Sequence, residues 1–234
     1  MTDALTFSPD VVLLDIEGTI SSQSYVVDVM YPYVRDHLPG YLAARRGDPV
    51  IERILADAAA LAGPGADPVE AMLGWLAEDK KAPPLKKAQG LIWEAGYAEG
   101  AFRGHIYEDA HAALVRWRAA GVPLFIFSSG SVQAQVQFFE NNAAGDLRGL
   151  FSGHFDTDIG AKVETESYRR IAAAIGVAPD RLLFFSDNPR ELVAATAAGL
   201  PVVHVLREDV ASDPRFPEIR SFEEVTLRTA PAAE

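Results

Sequence analysis

Two textures of apolar and polar positions divide this chain. From residue 106 onward, short apolar runs alternate with stretches of helical spacing, whereas residues 21–105 show helical spacing and few strand signals. Val11-Val12-Leu13-Leu14 is an unbroken apolar run, the pattern of a strand buried on both faces. Runs of the same kind occupy 122–127, 182–185 and 202–205, and residues 151–156 read as a short strand or a loop. Between them 109–119, 132–141, 166–175 and 191–198 carry helical spacing, with Gly121, Gly176 and Gly199 standing where helices close. Buried strands alternating with helices predict an α/β fold, a doubly wound parallel sheet. The strand at 202–205 is the last clear one, and Ala230 to Glu234 are expected to fray.

The intervening stretch reads as a small helical bundle. Its first helix spans 25–42, with Val26, Val29, Met30, Tyr33 and Val34 along one side and an interruption at Pro39-Gly40. Helices at 49–61, 68–80 and 85–93 follow, the second of these with Pro68 in its first turn. Gly63-Pro64-Gly65 and Pro83-Pro84 punctuate between them. The expected division is a core domain of 1–21 and 106–234, with residues 22–105 inserted as a helical cap domain.

Composition narrows the chemistry. With 234 residues, 49% hydrophobic and 23% charged, the chain can bury a sizeable core. It has no cysteine, which excludes disulfides, thiolate nucleophiles and Cys-ligated metals. A net charge of −12 without a Lys/Arg stripe speaks against nucleic-acid and anionic-membrane partners. The first ten residues lack the basic segment of a signal peptide, and no apolar run approaches the roughly 18 residues that span a bilayer. A cytoplasmic protein is expected. His37, His105, His111, His154 and His204 are scattered without a metal-site spacing and read as structural or solvated. Lys80-Lys81 and Lys86-Lys87 read as a solvated face, with a basic rim near a site as the alternative.

The candidate chemistry stands at strand ends. In open parallel sheets, ligands bind at the carboxyl edge. Asp15 follows the first buried run there, with Glu17 two residues on and Gly18-Thr19 turning the chain away. Two carboxylates on a tight turn suit Mg²⁺ together with a nucleophile or general acid, although acidic turns are also common without function. Ser128-Ser129-Gly130-Ser131 follows 124–127 and suits an anion nest or an ordinary helix cap. Lys162 precedes a helix, where a lone lysine is most often solvated. Asp187 follows 183–185, with Glu191 four residues on; Asp187-Asn188-Pro189 equally suits a helix start. The order of these groups, each expected at one sheet edge, points to a single crevice.

In that order the chain resembles the haloacid dehalogenase-like phosphohydrolases. Asp15 to Thr19 matches their first motif, Ser128 or Ser129 the second, Lys162 the third, and Asp187 with Glu191 the fourth. Most of that superfamily carries Asp at the position of Glu17. The strings DIEGT, SSGSVQAQ, FSGHFDTDIGAKVETESYRRI, FFSDNPRELVAA and LGWLAEDKKAPPLKKAQGLIW look like the enolase-phosphatase E1 family of methionine salvage. The likeness runs from about Val11 to Val205. Ile20-Ser21-Ser22 and Asn188-Pro189-Arg190 depart from the family's usual residues, and neither departure touches a charged catalytic position.

The resemblance implies a cytoplasmic, monomeric enzyme that enolises 2,3-diketo-5-methylthiopentyl-1-phosphate and then dephosphorylates it to the acireductone. It implies Asp15 as nucleophile, forming an aspartyl-phosphate. Mg²⁺ would be bound by Asp15, Asp187 and the backbone carbonyl of Glu17, with Glu191 orienting those ligands. Ser128 and Ser129 would bind phosphoryl oxygens, and Lys162 would neutralise both nucleophile and phosphate. The Glu17 side chain would serve both steps, as base and then acid, since the C1 proton and the ester oxygen share one carbon. Lys162 is the next candidate base. The cap would close over the crevice and receive the apolar tail, with Tyr25, Met30 and Trp75 as candidates that are more often core. The competing readings are a generic phosphatase of sugar or nucleotide phosphates, a metal-independent dehalogenase, and a non-catalytic binding protein on the same fold.

Overall fold

A computed structural model describes residues 4–228. The fraying expected at 230–234 lies outside them. Among the described residues there are eight strands: β1 (Leu5–Phe7), β2 (Val11–Leu14), β3 (Leu124–Phe127), β4 (Gly153–Phe155), β5 (Leu182–Ser186), β6 (Val202–Val205), β7 (Glu218–Ile219) and β8 (Val225–Leu227). Six form one parallel sheet in the order β4-β3-β2-β5-β6-β7, and β1 pairs in parallel with β8 apart from it. The chain divides into two compact units, one of residues 1–23 and 104–234 and one of residues 24–103.

In the α/β unit the sheet's faces follow the two-residue period of a strand. Leu13, Phe184 and Leu182 pack on one face with Tyr168, Ile171 and Leu192 from the helices Thr165–Ile175 and Pro189–Ala197. Phe185, one position on, turns to the other face, where Trp117 stacks on it at 5.5 Å and Phe222 lies 5.3 Å away. β2 is central, with all four residues buried. Its Leu14 registers with Ile126 on one side and Phe185 on the other, so β2, β3 and β5 end side by side. Three strands were not anticipated. β1, β7 and β8 have two or three residues each, too few for periodicity to register.

The helical unit is built from Tyr31–Ala44, Pro49–Ala62, Pro68–Ala77 and Pro83–Glu99. Asp48 and Asp67 cap the second and third, accepting from Val50 N at 2.8 Å and Val69 N at 2.8 Å, each ahead of a proline in the first turn. Pro83-Pro84 does not separate helices as expected but opens the fourth. Pro39-Gly40 does not interrupt the first, which runs through to Ala44. A proline removes the donor to the carbonyl four residues back, here that of Arg35; both residues are exposed, so water can satisfy it.

The irregularity lies upstream instead. Val26–Met30 forms a π turn, in which the Tyr31 N–H reaches the Val26 carbonyl. The extra residue shifts the helix phase. The buried stripe is therefore Met30, Val34, Leu38 and Leu42, and Val29, expected on that side, is exposed. Among the described residues, no helix is long and apolar enough to cross a membrane.

Candidate active site

The loop after β2 sets the site's first two carboxylates. Asp15 N–H donates to the Phe185 carbonyl at 3.0 Å, extending the β2–β5 ladder by one residue. The Ile16 carbonyl then accepts from Thr19, Ile20 and Ser21 at 2.9–3.2 Å, closing a tight turn. Gly18 takes φ +72° in it. A Cβ at that position would lie only 2.5 Å from Asp187 Cγ, so the turn presses its backbone against the Asp187 carboxylate.

Asp15 is buried, and its Oδ1 accepts from the Ile16 N–H at 2.8 Å and lies 2.5 Å from Lys162 Nζ. Lys162 Nζ also lies 2.9 Å from Glu191 Oε2. Glu191 accepts from Ser186 Oγ at 3.0 Å and Asn188 Nδ2 at 3.3 Å. The lysine is thus clamped between two buried carboxylates and is not solvated. Its loop is tied down by Tyr168, whose hydroxyl donates to the Lys162 carbonyl at 2.6 Å, and by Ser167, which donates to the Ala161 carbonyl at 2.7 Å. Glu191 therefore meets the lysine directly, a contact the sequence reading did not assign to it.

Across the turn, Ser128 Oγ donates to Glu17 Oε2 at 3.1 Å and accepts from the Gly130 N–H at 3.3 Å. Ser128 is fully buried; Ser129 beside it is partly exposed, and no bond to a carboxylate is seen for it. The 128–131 turn is held by residues that strand-end reasoning passed over. Gln135 Nε2 donates to the Gly130 and Phe155 carbonyls at 2.8 and 2.9 Å, and Asp156 Oδ2 accepts from the Val132 N–H at 3.0 Å. Asp156 directly follows β4, so its position at a strand end was the available signal.

Asp187 does not cap the following helix. Asn188 does, its Oδ1 accepting from Arg190 N–H at 3.0 Å, which leaves the Asp187 carboxylate facing Gly18. The Asp187 N–H donates to Thr19 Oγ1 at 3.1 Å.

The electrostatics of the cluster are lopsided. Burial raises the Asp15 pKa well above the ordinary aspartate value; Lys162 opposes the rise, while Glu191, Glu17 and Asp187 add to it. Burial, with Glu191 close by, pushes Asp187 up to about 6. Burial disfavours the Lys162 ammonium, but Asp15 and Glu191 outweigh it and hold its pKa above the ordinary lysine value. One cation thus serves four carboxylates, and a second positive charge would relieve the remainder. Among the described residues, no three His, Cys, Asp or Glu side chains form a metal-holding group by themselves. A metal here would need main-chain oxygen as well, and the Asp187 carboxylate lies against the backbone of the turn at Gly18. Oxygen ligands of this kind fit a hard cation such as Mg²⁺.

In the helical unit, Met30 and Trp75 are buried, Trp75 within the unit's apolar cluster, and the Tyr25 hydroxyl donates to the Arg103 carbonyl. Lys81 donates to the Tyr31 hydroxyl at 2.6 Å and pairs with Asp79, so this lysine is not simply solvated.

Fold and site define a hydrolase of the haloacid dehalogenase-like class, and residues 9–199 match that family. Enolase-phosphatase E1 of Bradyrhizobium sp. (strain BTAi1) is 64% identical over 96% of this chain and 97% of its own. Enolase-phosphatase E1 of Thioalkalivibrio sulfidiphilus is 51% identical over 81% of this chain and 86% of its own. The crystal structure of the UTR4 protein from Saccharomyces cerevisiae superposes with a TM-score of 0.78 at 32% identity, covering 92% of this chain and 99% of that one. The chain belongs to the enolase-phosphatase E1 family of haloacid dehalogenase-like hydrolases.

Proposed function

We propose that this chain enolises 2,3-diketo-5-methylthiopentyl-1-phosphate and hydrolyses the resulting enol phosphate to the acireductone of methionine salvage, as a cytoplasmic monomer. The observation that carries the reading is the pairing of Asp15, just after β2, with Lys162, on the loop before the helix Thr165–Ile175, and Glu17 two residues from Asp15. Identity of 64% to a named enolase-phosphatase E1 supports the substrate.

In the first step a Glu17 carboxylate oxygen takes the C1 proton, the C1–H electron pair becomes the C1–C2 double bond, and the C2 oxygen takes a proton from solvent water, giving the enol. Ser128 fixes the base by hydrogen bonding to Glu17 Oε2 at 3.1 Å. In the second, an Asp15 oxygen attacks phosphorus, and the ester oxygen leaves with the proton from Glu17. Water then attacks the aspartyl-phosphate, with Glu17 as base. Lys162 stays protonated throughout, offsetting charge on Asp15 and on the phosphoryl group; its raised pKa argues against it as the enolisation base. Ser128, Ser129 and neighbouring N–H groups hold the phosphoryl oxygens. Asp15, Asp187 and the Glu17 carbonyl would bind Mg²⁺, with Glu191 supporting them through Lys162. Bound there, the ion would neutralise phosphoryl charge.

Glu17→Gln tests the shared role. It retains the Ser128 contact but cannot accept the C1 proton. Enol formation, followed by ultraviolet absorbance, and phosphate release are both expected to fall by about 10²-fold or more. Enolisation at the wild-type rate with phosphate release alone impaired would assign the base elsewhere.

A further inference from the structure

His204 is a fully buried polar residue on β6, in register with Ser186 of β5 and Glu218 of β7. A polar ring in a strand interior is costly unless it is paired. Its Nε2 lies 3.1 Å from the Asp187 carbonyl oxygen. A carbonyl only accepts, so Nε2 carries the proton and donates. Its Nδ1 is buried, makes no hydrogen bond, and lies 3.4 Å from Glu218 Oε1. Glu218 is occupied by Ser212 Oγ at 2.8 and 2.9 Å and by the Asp213 N–H at 2.5 Å. The ring's one hydrogen bond is therefore spent on the main chain of Asp187.

The Asp187 residue is held at both ends. Its N–H reaches Thr19 Oγ1 at 3.1 Å, from the turn after β2, and its carbonyl receives His204 Nε2 from β6. With the residue's main chain pinned on either side, the carboxylate stays against Gly18. Asn188 takes over the helix cap, so no cap contact competes for that carboxylate.

We propose that His204 is a positioning residue for the metal: through its hydrogen bond to the Asp187 carbonyl it sets the Asp187 carboxylate as a magnesium ligand. The inference rests on the metal-binding reading above. It predicts that removing the imidazole donor weakens metal affinity before it affects chemistry.

The test is calorimetric titration of the substrate-free protein with Mg²⁺, set beside phosphate release across a Mg²⁺ series and a thermal melt. His204→Leu is expected to weaken Mg²⁺ binding by about 10- to 100-fold, the usual cost of losing a partner that orients a ligand. It should raise the Mg²⁺ concentration for half-maximal rate while the rate at saturating Mg²⁺ stays near wild type. His204→Gln keeps a side-chain N–H donor and should recover most of the affinity. If His204→Leu fails to fold, Thr19→Val removes the other hold on Asp187 and should weaken Mg²⁺ binding likewise, with Thr19→Ser restoring it. Wild-type Mg²⁺ affinity in the folded donor-less variants overturns the inference alone, as does a glutamine variant as weak as the leucine one. Absence of Mg²⁺ binding by the wild type overturns the functional reading and this inference with it.

Discussion

The two units of this chain are stabilised by opposite means. Among the described residues, twelve of the thirteen buried polar side chains lie in the α/β unit, and only Gln89 lies in the helical one. The helical unit closes over Val34, Leu38, Leu42, Ile51, Ile54 and their neighbours, and its charges sit at the surface. The α/β unit buries Asp15, Glu191 and Lys162 together at the end of its central strands. Charge buried in a low-dielectric setting costs stability unless it is paired. The α/β unit bears that cost where chemistry needs undiluted charge; the helical unit, with no such buried cluster among the described residues, draws chiefly on apolar area.

Asp15→Asn gives the largest expected effect. Phosphate release should fall more than about a thousandfold, since the nucleophile is gone. Stability should not fall with it. A carboxylate whose folded pKa is raised contributes stability that is present below its unfolded value, near 4, and lost as pH rises through the folded value. At neutral pH in EDTA the neutral asparagine should therefore melt no earlier than wild type. A clearly lower melting temperature would mean that the Asp15–Lys162 pair is net stabilising.

Lys162→Met comes next. It strips from Asp15 and Glu191 the cation that pairs with both, and loss of one partner from a buried pair costs about 3–5 kcal/mol. Urea unfolding in EDTA across a pH series should show that loss shrinking as the pH is lowered, because the raised pKa lets Asp15 take up a proton sooner than an ordinary aspartate. Equal losses across the series would contradict the charge account.

Leu38→Ala, in the helical unit, should cost about 2–5 kcal/mol through transfer and cavity terms. The same urea series should find that loss independent of pH, since no titrating group is involved. The smallest effect belongs to Arg53 and Asp57, an exposed pair one helical turn apart at 3.0 Å. A double-mutant cycle should return about 0.3–0.5 kcal/mol, vanishing in high salt. A value near that of Lys162 would erase the contrast between the units.

What the sequence displayed was the part written locally. β2, β3, β5 and β6 are apolar runs of four or five residues, and their ends located Asp15, Ser128 and Asp187. Pro68 in a first turn marked a helix start in residue order. Contacts set by three-dimensional convergence were not legible. Nothing near Glu191 announces that it grips Lys162, 29 positions away, and nothing near His204 announces the Asp187 carbonyl. The π turn escaped because it inserts one residue into an otherwise regular spacing, leaving Val29 exposed. Pro39 misled because its usual penalty assumes a carbonyl that water cannot reach.

The strand order also fixes a schedule. β2 pairs with β3 and β5, more than a hundred residues further along, and β1 pairs with β8 at Val225–Leu227. The helical unit draws its contacts from residues 24–103, an unbroken segment, and can assemble as soon as that segment leaves the ribosome. β1 must wait for Val225–Leu227, whereas β2 stays unpaired until β3 has been made and gains its second neighbour, β5, later still. Long-range parallel pairing of this kind is slow, and it leaves the Val11–Leu14 edge exposed to wrong partners during the wait. The strand that delivers the nucleophile is thus made more than a hundred residues ahead of either strand that flanks it.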